Sequence, residues 1–358
     1  MTMQPGQAWD SWMMIAPGAP MERRSLPAQE PGNGEAVVEV AGCGVCHTDL
    51  SFLYHGVPVR GALPLVLGHE ISGVVRAVGA GADQSLRGKS VVVPAVLPCG
   101  ECDLCRAGRR TICRRQVMPG NDRHGGFASH VVVPARFLCP VPDAALATHA
   151  LWELSVVSDA VATPFEAVRR SELQPGECAI VVGVGGIGVY AVQVAAAAGA
   201  KVIALDVDER KLESARAAGA HAVLDVRGLS ARDVKKQVRA LAEQVGAPAH
   251  LWKIFEMSGT RAGQETAFAL LGYGAALAVV GYTTDRVEVP LSHLMAYDAV
   301  ARGNWGADPL SYPELLQWVA AGRLTLRPNV ERRPLASINE VFDDALHGRL
   351  TKRVVLVP

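Results

Sequence analysis

The chain is predicted to be an α/β protein in two parts, one β-rich and one built on a doubly wound parallel sheet. Three observations predict this. Short valine-rich runs broken by Gly and Pro fill the stretch from Ala36 to about Pro140, the mark of strands separated by turns. From about Gly176, apolar runs of strand length alternate with helical stretches, which implies βαβ units and a parallel sheet. With 358 residues, 49% of them hydrophobic, the chain is longer than one average domain and can fill two cores.

In the first part, Ala36 to Val40, Val74 to Val78, Val91 to Val93 and Val131 to Val133 are the expected strands. The second part opens with a strand at Cys178 to Val182 and a helix at Gly186 to Ala198. A strand at Val202 to Asp206 follows, then a helix at Asp208 to Ala218 capped by Asp208. Strands at Ala222 to Leu224, Leu251 to Phe255 and Ala276 to Val280 continue the alternation, with helices at Val234 to Val245 and Gln264 to Leu271 between them. Beyond about Ala301 the pattern is mixed, with a helix at Pro313 to Ala321 and a terminal strand at Arg353 to Val357. The expected division is residues 1–165 for the β-rich domain and 166–300 for the parallel-sheet domain. Residues 301–358, too few for a core of their own, are expected to fold back onto the first.

Thirty-five basic and thirty-five acidic residues balance to zero, which gives no footprint for nucleic acid or an anionic membrane. A small molecule is the expected partner. Ala179 to Ala200 carries no charge and is long enough to suggest a membrane span. Its glycines at turn spacing and its β-branched start fit strand, turn and buried helix better. Met1 to Pro20 contains Asp10 and scattered prolines rather than a basic start and an apolar run, so a cytoplasmic address is expected. Eight cysteines in such a chain are expected to bind metal rather than pair. Cys43, Cys139 and Cys178 lie in apolar runs and are expected in the core.

Cys99, Cys102, Cys105 and Cys113 fall in the run Cys-x2-Cys-x2-Cys-x7-Cys. Four thiolates this close enclose a tetrahedral zinc, and a closed shell of sulfur leaves no position for substrate, so this zinc is expected to be structural. A catalytic zinc needs fewer protein ligands, and Cys46 and His69, in Gly68-His69-Glu70, offer a thiolate and an imidazole. Downstream, Gly183, Gly185, Gly186, Ile187 and Gly188 close a strand and open a helix, the turn that lets a backbone approach a pyrophosphate at a helix N-terminus. Asp206 ends the next strand eighteen residues after Gly188. A carboxylate there accepts bonds from a ribose hydroxyl and repels a 2′-phosphate, which favours NAD over NADP. Two zinc ions per chain and NAD are the expected cofactors. Together they indicate a zinc-containing, nicotinamide-dependent dehydrogenase.

In Cys46-His47-Thr48-Asp49, in Gly68-His69-Glu70-x2-Gly73-x5-Gly79, in the four-cysteine lobe and in the glycine turn, the chain resembles the zinc alcohol dehydrogenases of the medium-chain dehydrogenase/reductase family. The resemblance covers essentially the whole chain. It implies a GroES-like catalytic domain beside a Rossmann domain, and a homo-oligomer, dimer or tetramer. It places the third ligand of the catalytic zinc at Asp159, where many members carry cysteine; the alternative is that Asp159 caps the following helix. It implies that Thr48 bonds the reacting oxygen, that Glu70 lies beside the metal or enters its shell transiently, and that His47 sits near the cofactor pyrophosphate. Asp49 is a candidate to orient a metal-ligand histidine through its other ring nitrogen. For Asp49 and Glu70 an ordinary ion pair is the alternative. Lys211 matches a lysine near the adenosine ribose and Arg353 an arginine near the pyrophosphate, each with a solvated charge as the alternative. Ser51 stands where many relatives end their proton relay with a histidine.

Arg115 to Asp122, Gly125 to His130 and Arg302 to Gly306 are similar to the 6-hydroxycyclohex-1-ene-1-carbonyl-CoA dehydrogenases of anaerobic benzoyl-CoA degradation. That resemblance implies oxidation of a ring secondary alcohol on an alicyclic acyl-CoA, whose phosphates need cationic contacts. The arginine pairs at 23–24, 109–110, 114–115 and 332–333 are candidates, with solvated surface as the alternative. A general secondary-alcohol or polyol dehydrogenase is the rival within the class. A zinc-free enoyl reductase or a non-catalytic NAD-binding protein would leave Cys46, His69 and the cysteine lobe without a purpose.

Overall fold

The computed structural model describes residues 8–358. They form two compact units. The first takes the described residues up to Ala162 together with Gly306–Gly322 and Leu326–Pro358; the second takes Thr163–Trp305 and Arg323–Thr325. The first unit is β-rich and the second is a Rossmann-like parallel sheet, as the sequence pattern predicts.

The first unit holds a seven-stranded sheet in which Glu35–Gly44 and Glu70–Val78 pair antiparallel at the centre. Arg353–Val357 pairs with one end of Glu35–Gly44 and His130–Pro134 with the other. The apolar faces close over one core that includes Val38, Leu67, Ile71, Phe127 and Phe342. Both central strands run further than their valine runs suggest. Ala41-Gly42-Cys43-Gly44 reads as a turn, yet it stays paired through a register shift between Val40 and Gly42, because a bulge absorbs the extra residue without ending the ladder.

The second unit carries six strands, in the order Ala222–Asp225, Lys201–Asp206, Cys178–Val182, Lys253–Glu256, Ala276–Val279, Val300–Gly303, every neighbouring pair parallel. The order reverses beside Cys178–Val182, and in such sheets ligands bind beyond the C-terminal ends of the strands at that switch point. Val300–Gly303 was not anticipated. All of its residues are exposed, so it has no buried face to impose an alternating pattern. Among the described residues no helix is long and apolar enough to cross a membrane.

Candidate active site

The register of the first unit's sheet assembles the site. Gly44 pairs with Glu70 and with Val355, so three strands present their ends at one place. Past Gly44 the chain reaches Cys46, which caps the helix His47–Tyr54. Just ahead of Glu70 lies His69, and just ahead of Val355 lies Arg353. The fourth contribution is Asp159, which follows the 3-10 helix Leu151–Ser158 and leaves helical geometry at φ −140°, ψ −59°.

Cys46, His69, Glu70 and Asp159 each offer a ligand atom within 4.8 Å of the others. Cys46 Sγ lies 3.8 Å from Asp159 Oδ2, and His69 Nε2 lies 3.6 Å from the same oxygen. Ligands about 2.0–2.3 Å from a tetrahedral zinc stand about 3.3–3.8 Å apart, so these separations fit an ion. His69 is fully buried, and neither ring nitrogen has a hydrogen-bond partner among the described residues. Its Nδ1 faces Asp49 Oδ1 at 3.4 Å, while Asp49 is itself fixed by accepting from the N–H groups of Cys46 and Gly68. Burial works against a charged imidazole here, but Asp49, Asp159 and Cys46 outweigh it and hold the His69 pKa well above its ordinary value. The same negative field favours a divalent cation.

Glu70 is buried beside this group. Burial pushes its carboxyl up to about 7 although Arg353 opposes the rise. Arg353 Nη1 donates to Glu70 Oε1 at 2.6 Å and to the Val45 carbonyl at 3.2 Å, and Glu70 Oε2 has no partner among the described residues. Arg353, which the family resemblance puts near a pyrophosphate, is thus buried and not a solvated charge, and it pairs with Glu70, a pairing that no sequence spacing reveals. Thr48 is half-buried with its Oγ1 3.7 Å from Cys46 Sγ. His47 is exposed on the same helical turn.

The four cysteines of the lobe form the second group. Their sulfurs stand 3.5 Å (Cys99–Cys113), 3.7 Å (Cys102–Cys113) and 4.0 Å (Cys99–Cys105) apart, close to the ~3.8 Å edge of a zinc–sulfur tetrahedron. The N–H groups of Cys99 and Arg115 donate to Cys113 Sγ, as suits a thiolate. Burial opposes ionisation of Cys99, yet backbone N–H groups of Glu101 and Cys102 bring it down to about 6, while burial pushes Cys105 up to about 12. Closing a zinc shell here must expel the Cys105 proton.

In the second unit, Gly183 ends the strand Cys178–Val182 and Gly188 opens the helix Gly188–Ala197. A Cβ on Gly188 would stand 1.9 Å from the Gly183 carbonyl oxygen, whereas one on Gly185 would meet nothing within 4 Å. The first glycine closes the turn; the second leaves its outer side open to a ligand. Gly186 is exposed, and Ile187 is the half-buried residue preceding the helix. Asp206 Oδ2 accepts from the Val184 N–H at 2.8 Å, and its Oδ1 accepts from Val207 and Asp208. The carboxylate expected to meet a ribose thus also fixes the glycine turn. Lys211 is exposed on the helix Glu209–Ala217.

A parallel nucleotide-type sheet, a largely buried Cys, His, Asp cluster and a four-cysteine lobe are the features of a zinc-binding, nicotinamide-linked oxidoreductase. The alcohol dehydrogenase GroES-like domain family matches residues 32–143, and the zinc-binding dehydrogenase family matches residues 186–321. An alcohol dehydrogenase from Geobacillus stearothermophilus is 32% identical over 338 residues, which are 94% of this chain and 96% of that protein. The alcohol dehydrogenase of the archaeon Aeropyrum pernix superposes with a TM-score of 0.86 at 28% identity, covering 98% of this chain and 100% of that one. A cobalt- and zinc-bound thermostable alcohol dehydrogenase from Pyrobaculum aerophilum gives a TM-score of 0.83 at 25% identity, covering 98% and 100%. The chain belongs to the zinc-binding alcohol dehydrogenases of the medium-chain dehydrogenase/reductase family, and it is an oxidoreductase acting on CH–OH donors.

Proposed function

We propose that the enzyme oxidises a cyclic secondary alcohol to its ketone with NAD, using a catalytic zinc held by Cys46, His69 and Asp159 and a structural zinc held by Cys99, Cys102, Cys105 and Cys113. The carrying observation is the cluster with ligand-to-ligand spacings of 3.6 Å and 3.8 Å around a buried His69 ring whose nitrogens have no hydrogen-bond partner among the described residues. When bound, the zinc supplies Lewis acidity that brings an alcohol proton within reach of neutral pH, and the nicotinamide accepts hydride. Thr48 Oγ1, beside Cys46, holds the hydroxyl proton of the substrate and starts its path to solvent. Asp49 Oδ1, facing Nδ1 at 3.4 Å, orients the ring of His69 by its charge. Asp159 leaves the metal less electron-rich than a second thiolate would.

Asp206 supports NAD as the dinucleotide. Asp206→Ala is expected to weaken NADH binding about tenfold, because a charged acceptor for the ribose is lost and the Val184 N–H is released. NADPH binding is expected to improve relative to NADH as the repulsion disappears. Fluorescence titration with each reduced cofactor checks this; unchanged preference would show that Asp206 does not select.

For the substrate we propose 6-hydroxycyclohex-1-ene-1-carbonyl-CoA, oxidised to the 6-oxo thioester in anaerobic aromatic degradation. The support is the similarity of the segments at 115–122, 125–130 and 302–306. Packing explains part of it: Gly125, Gly126 and Phe127 donate backbone N–H groups to Val66, Gly68 and Leu67, bracing the chain just ahead of His69. Of the paired arginines, Arg23, Arg24, Arg110, Arg115 and Arg333 already meet carboxylates, which leaves Arg109, Arg114 and Arg332, all exposed, for phosphates. The second reading, a general secondary-alcohol or polyol dehydrogenase, is favoured by this commitment of five of the eight arginines. NADH formation with the cyclic hydroxy-enoyl-CoA, its free acid and simple secondary alcohols decides. The thioester is expected to exceed the others in kcat/KM by at least a hundredfold, about 3 kcal/mol of phosphate and thioester contacts; equal efficiency with free alcohols would leave the general reading.

A homo-oligomer, dimer or tetramer, belongs to the same proposal. The strand Val300–Gly303 is an exposed sheet edge, and Leu291 and Met295, shortly before it in the chain, are exposed too; proteins ordinarily cover such features. Eight free thiols suit a reducing, cytoplasmic setting.

A further inference from the structure

We infer that Ser158 and Tyr312 form a latch that sets the separation of two metal ligands, His69 and Asp159, and that the latch is anchored to the four-cysteine lobe. The inference rests on the reading of Cys46, His69 and Asp159 as a metal site. Both latch residues are positioning residues; neither offers an atom to the metal cluster.

Ser158 is fully buried at the end of the 3-10 helix Leu151–Ser158. Its hydroxyl donates to the His69 carbonyl at 3.0 Å and is shared with the Val93 carbonyl. Its own carbonyl accepts from Tyr312 Oη and from the Ala95 N–H. One residue therefore grips the backbone of His69 with its side chain while its carbonyl carbon is bonded to the nitrogen of Asp159. Asp159 has left the helix, so helical hydrogen bonding does not fix it. A ligand pair far apart in sequence holds its spacing steady when something joins the two backbones, and here Ser158 does.

Tyr312, 1% exposed, begins the helix Tyr312–Ala320. The turn Pro309–Ser311 leading into it is capped by Asp308, which accepts from the Leu310 N–H. Asp308 also receives Arg110 Nε at 2.9 Å on Oδ1 and 3.0 Å on Oδ2, and Arg110 lies between Cys105 and Cys113. The connection thus runs from the cysteine lobe through the Arg110–Asp308 ion pair, along the backbone of the turn Pro309–Ser311 to Tyr312, and through Ser158 to His69, all within the first unit.

The molecule contains its own control. Ser72 is equally buried and donates to the Leu151 carbonyl at 2.6 Å, tying the strand Glu70–Val78 to the opposite end of the same 3-10 helix. Ser72→Ala removes the same kind of bond without touching the ligand backbones.

The test is zinc release from the loaded full-length protein to a chromogenic chelator, with Cys46→Ser identifying the phase that belongs to the four-cysteine site. Ser158→Ala and Tyr312→Phe are expected to accelerate release of the catalytic zinc about tenfold, the lower range for partners that support metal ligands, and to leave the four-cysteine phase unchanged. Ser72→Ala is expected to leave both phases unchanged. If Ser158→Ala does not fold, Tyr312→Phe decides alone, since it removes one hydroxyl and keeps the ring. Wild-type rates in the latch variants, or equal acceleration by Ser72→Ala, would overturn the latch. A wild-type protein that releases only the four-cysteine zinc would instead remove the metal reading beneath it.

Discussion

Asp159→Ala is expected to release the catalytic zinc, lower alcohol oxidation by at least about a thousandfold, and leave the four-cysteine zinc bound. The size follows from the several kcal/mol that Lewis-acid polarisation contributes to such reactions. The direction follows from geometry. Asp159 Oδ2 stands 3.8 Å from Cys46 Sγ and 3.6 Å from His69 Nε2, so its removal leaves two protein ligands where catalytic zinc sites keep three. Among the described residues Glu70 is the only other member of the cluster, and its Oε1 is held by Arg353, which limits its value as a replacement. Asp159→Cys is expected to retain the metal, with slower turnover because a second thiolate makes the ion a poorer Lewis acid. Metal analysis and NADH formation on the same preparations check both. Full metal content and activity in Asp159→Ala would assign Asp159 to helix capping instead.

Arg353→Leu is expected to destabilise the first unit by about 3–5 kcal/mol, the cost of leaving a buried charge without its partner. Arg353 and Glu70 are both buried, and the pair is supported by the Val45 carbonyl. Even with the guanidinium in place, burial holds Glu70 at about 7; without it the carboxyl rises further. Protonation limits the damage, so the loss should be smaller below pH 6 than at pH 8. The sign follows because a group raised in the folded protein binds its proton more tightly there than in the unfolded chain, and that stabilising contribution fades as pH rises through the folded value. Adding Glu70→Gln to Arg353→Leu is expected to recover much of the stability, since the charge that lost its partner is gone. Urea unfolding of the single and double variants, with and without chelator, measures this. An Arg353→Leu protein as stable as wild type at pH 8 would show that the pair contributes nothing.

Much of the architecture was legible because burial writes a period into sequence. Cys178–Val182 and Lys201–Asp206 are buried along almost their whole length, so they read as continuous apolar runs between helices, the mark of a parallel sheet. Val300–Gly303 lies at the edge of that sheet with every residue exposed, and no periodicity survives there. The four-cysteine lobe was legible because its ligands lie close in the chain, and the glycine turn because strand, turn and helix follow one another without interruption. Cys46 and His69 stood out through local residue types. Asp159 came from family resemblance alone, since ninety residues separate it from His69 and only folding brings them together. Arg353 beside Glu70, and Ser158 with Tyr312, escaped for the same reason: these are contacts between backbones and side chains from distant segments, and no local spacing encodes them. Asp206 was placed for ribose recognition, but its hold on the Val184 N–H depends on strand register, which the sequence does not display.

The central claim is that a catalytic metal sits on Cys46, His69 and Asp159, apart from the one in the cysteine lobe. Anomalous diffraction at the zinc edge from crystals of the zinc-loaded protein tests it most directly. Two peaks per chain are predicted, one inside the Cys99, Cys102, Cys105, Cys113 tetrahedron and one about 2.0–2.3 Å from Cys46 Sγ, His69 Nε2 and an Asp159 oxygen. A single peak confined to the cysteine lobe, or a second one remote from Cys46 and His69, would contradict the account.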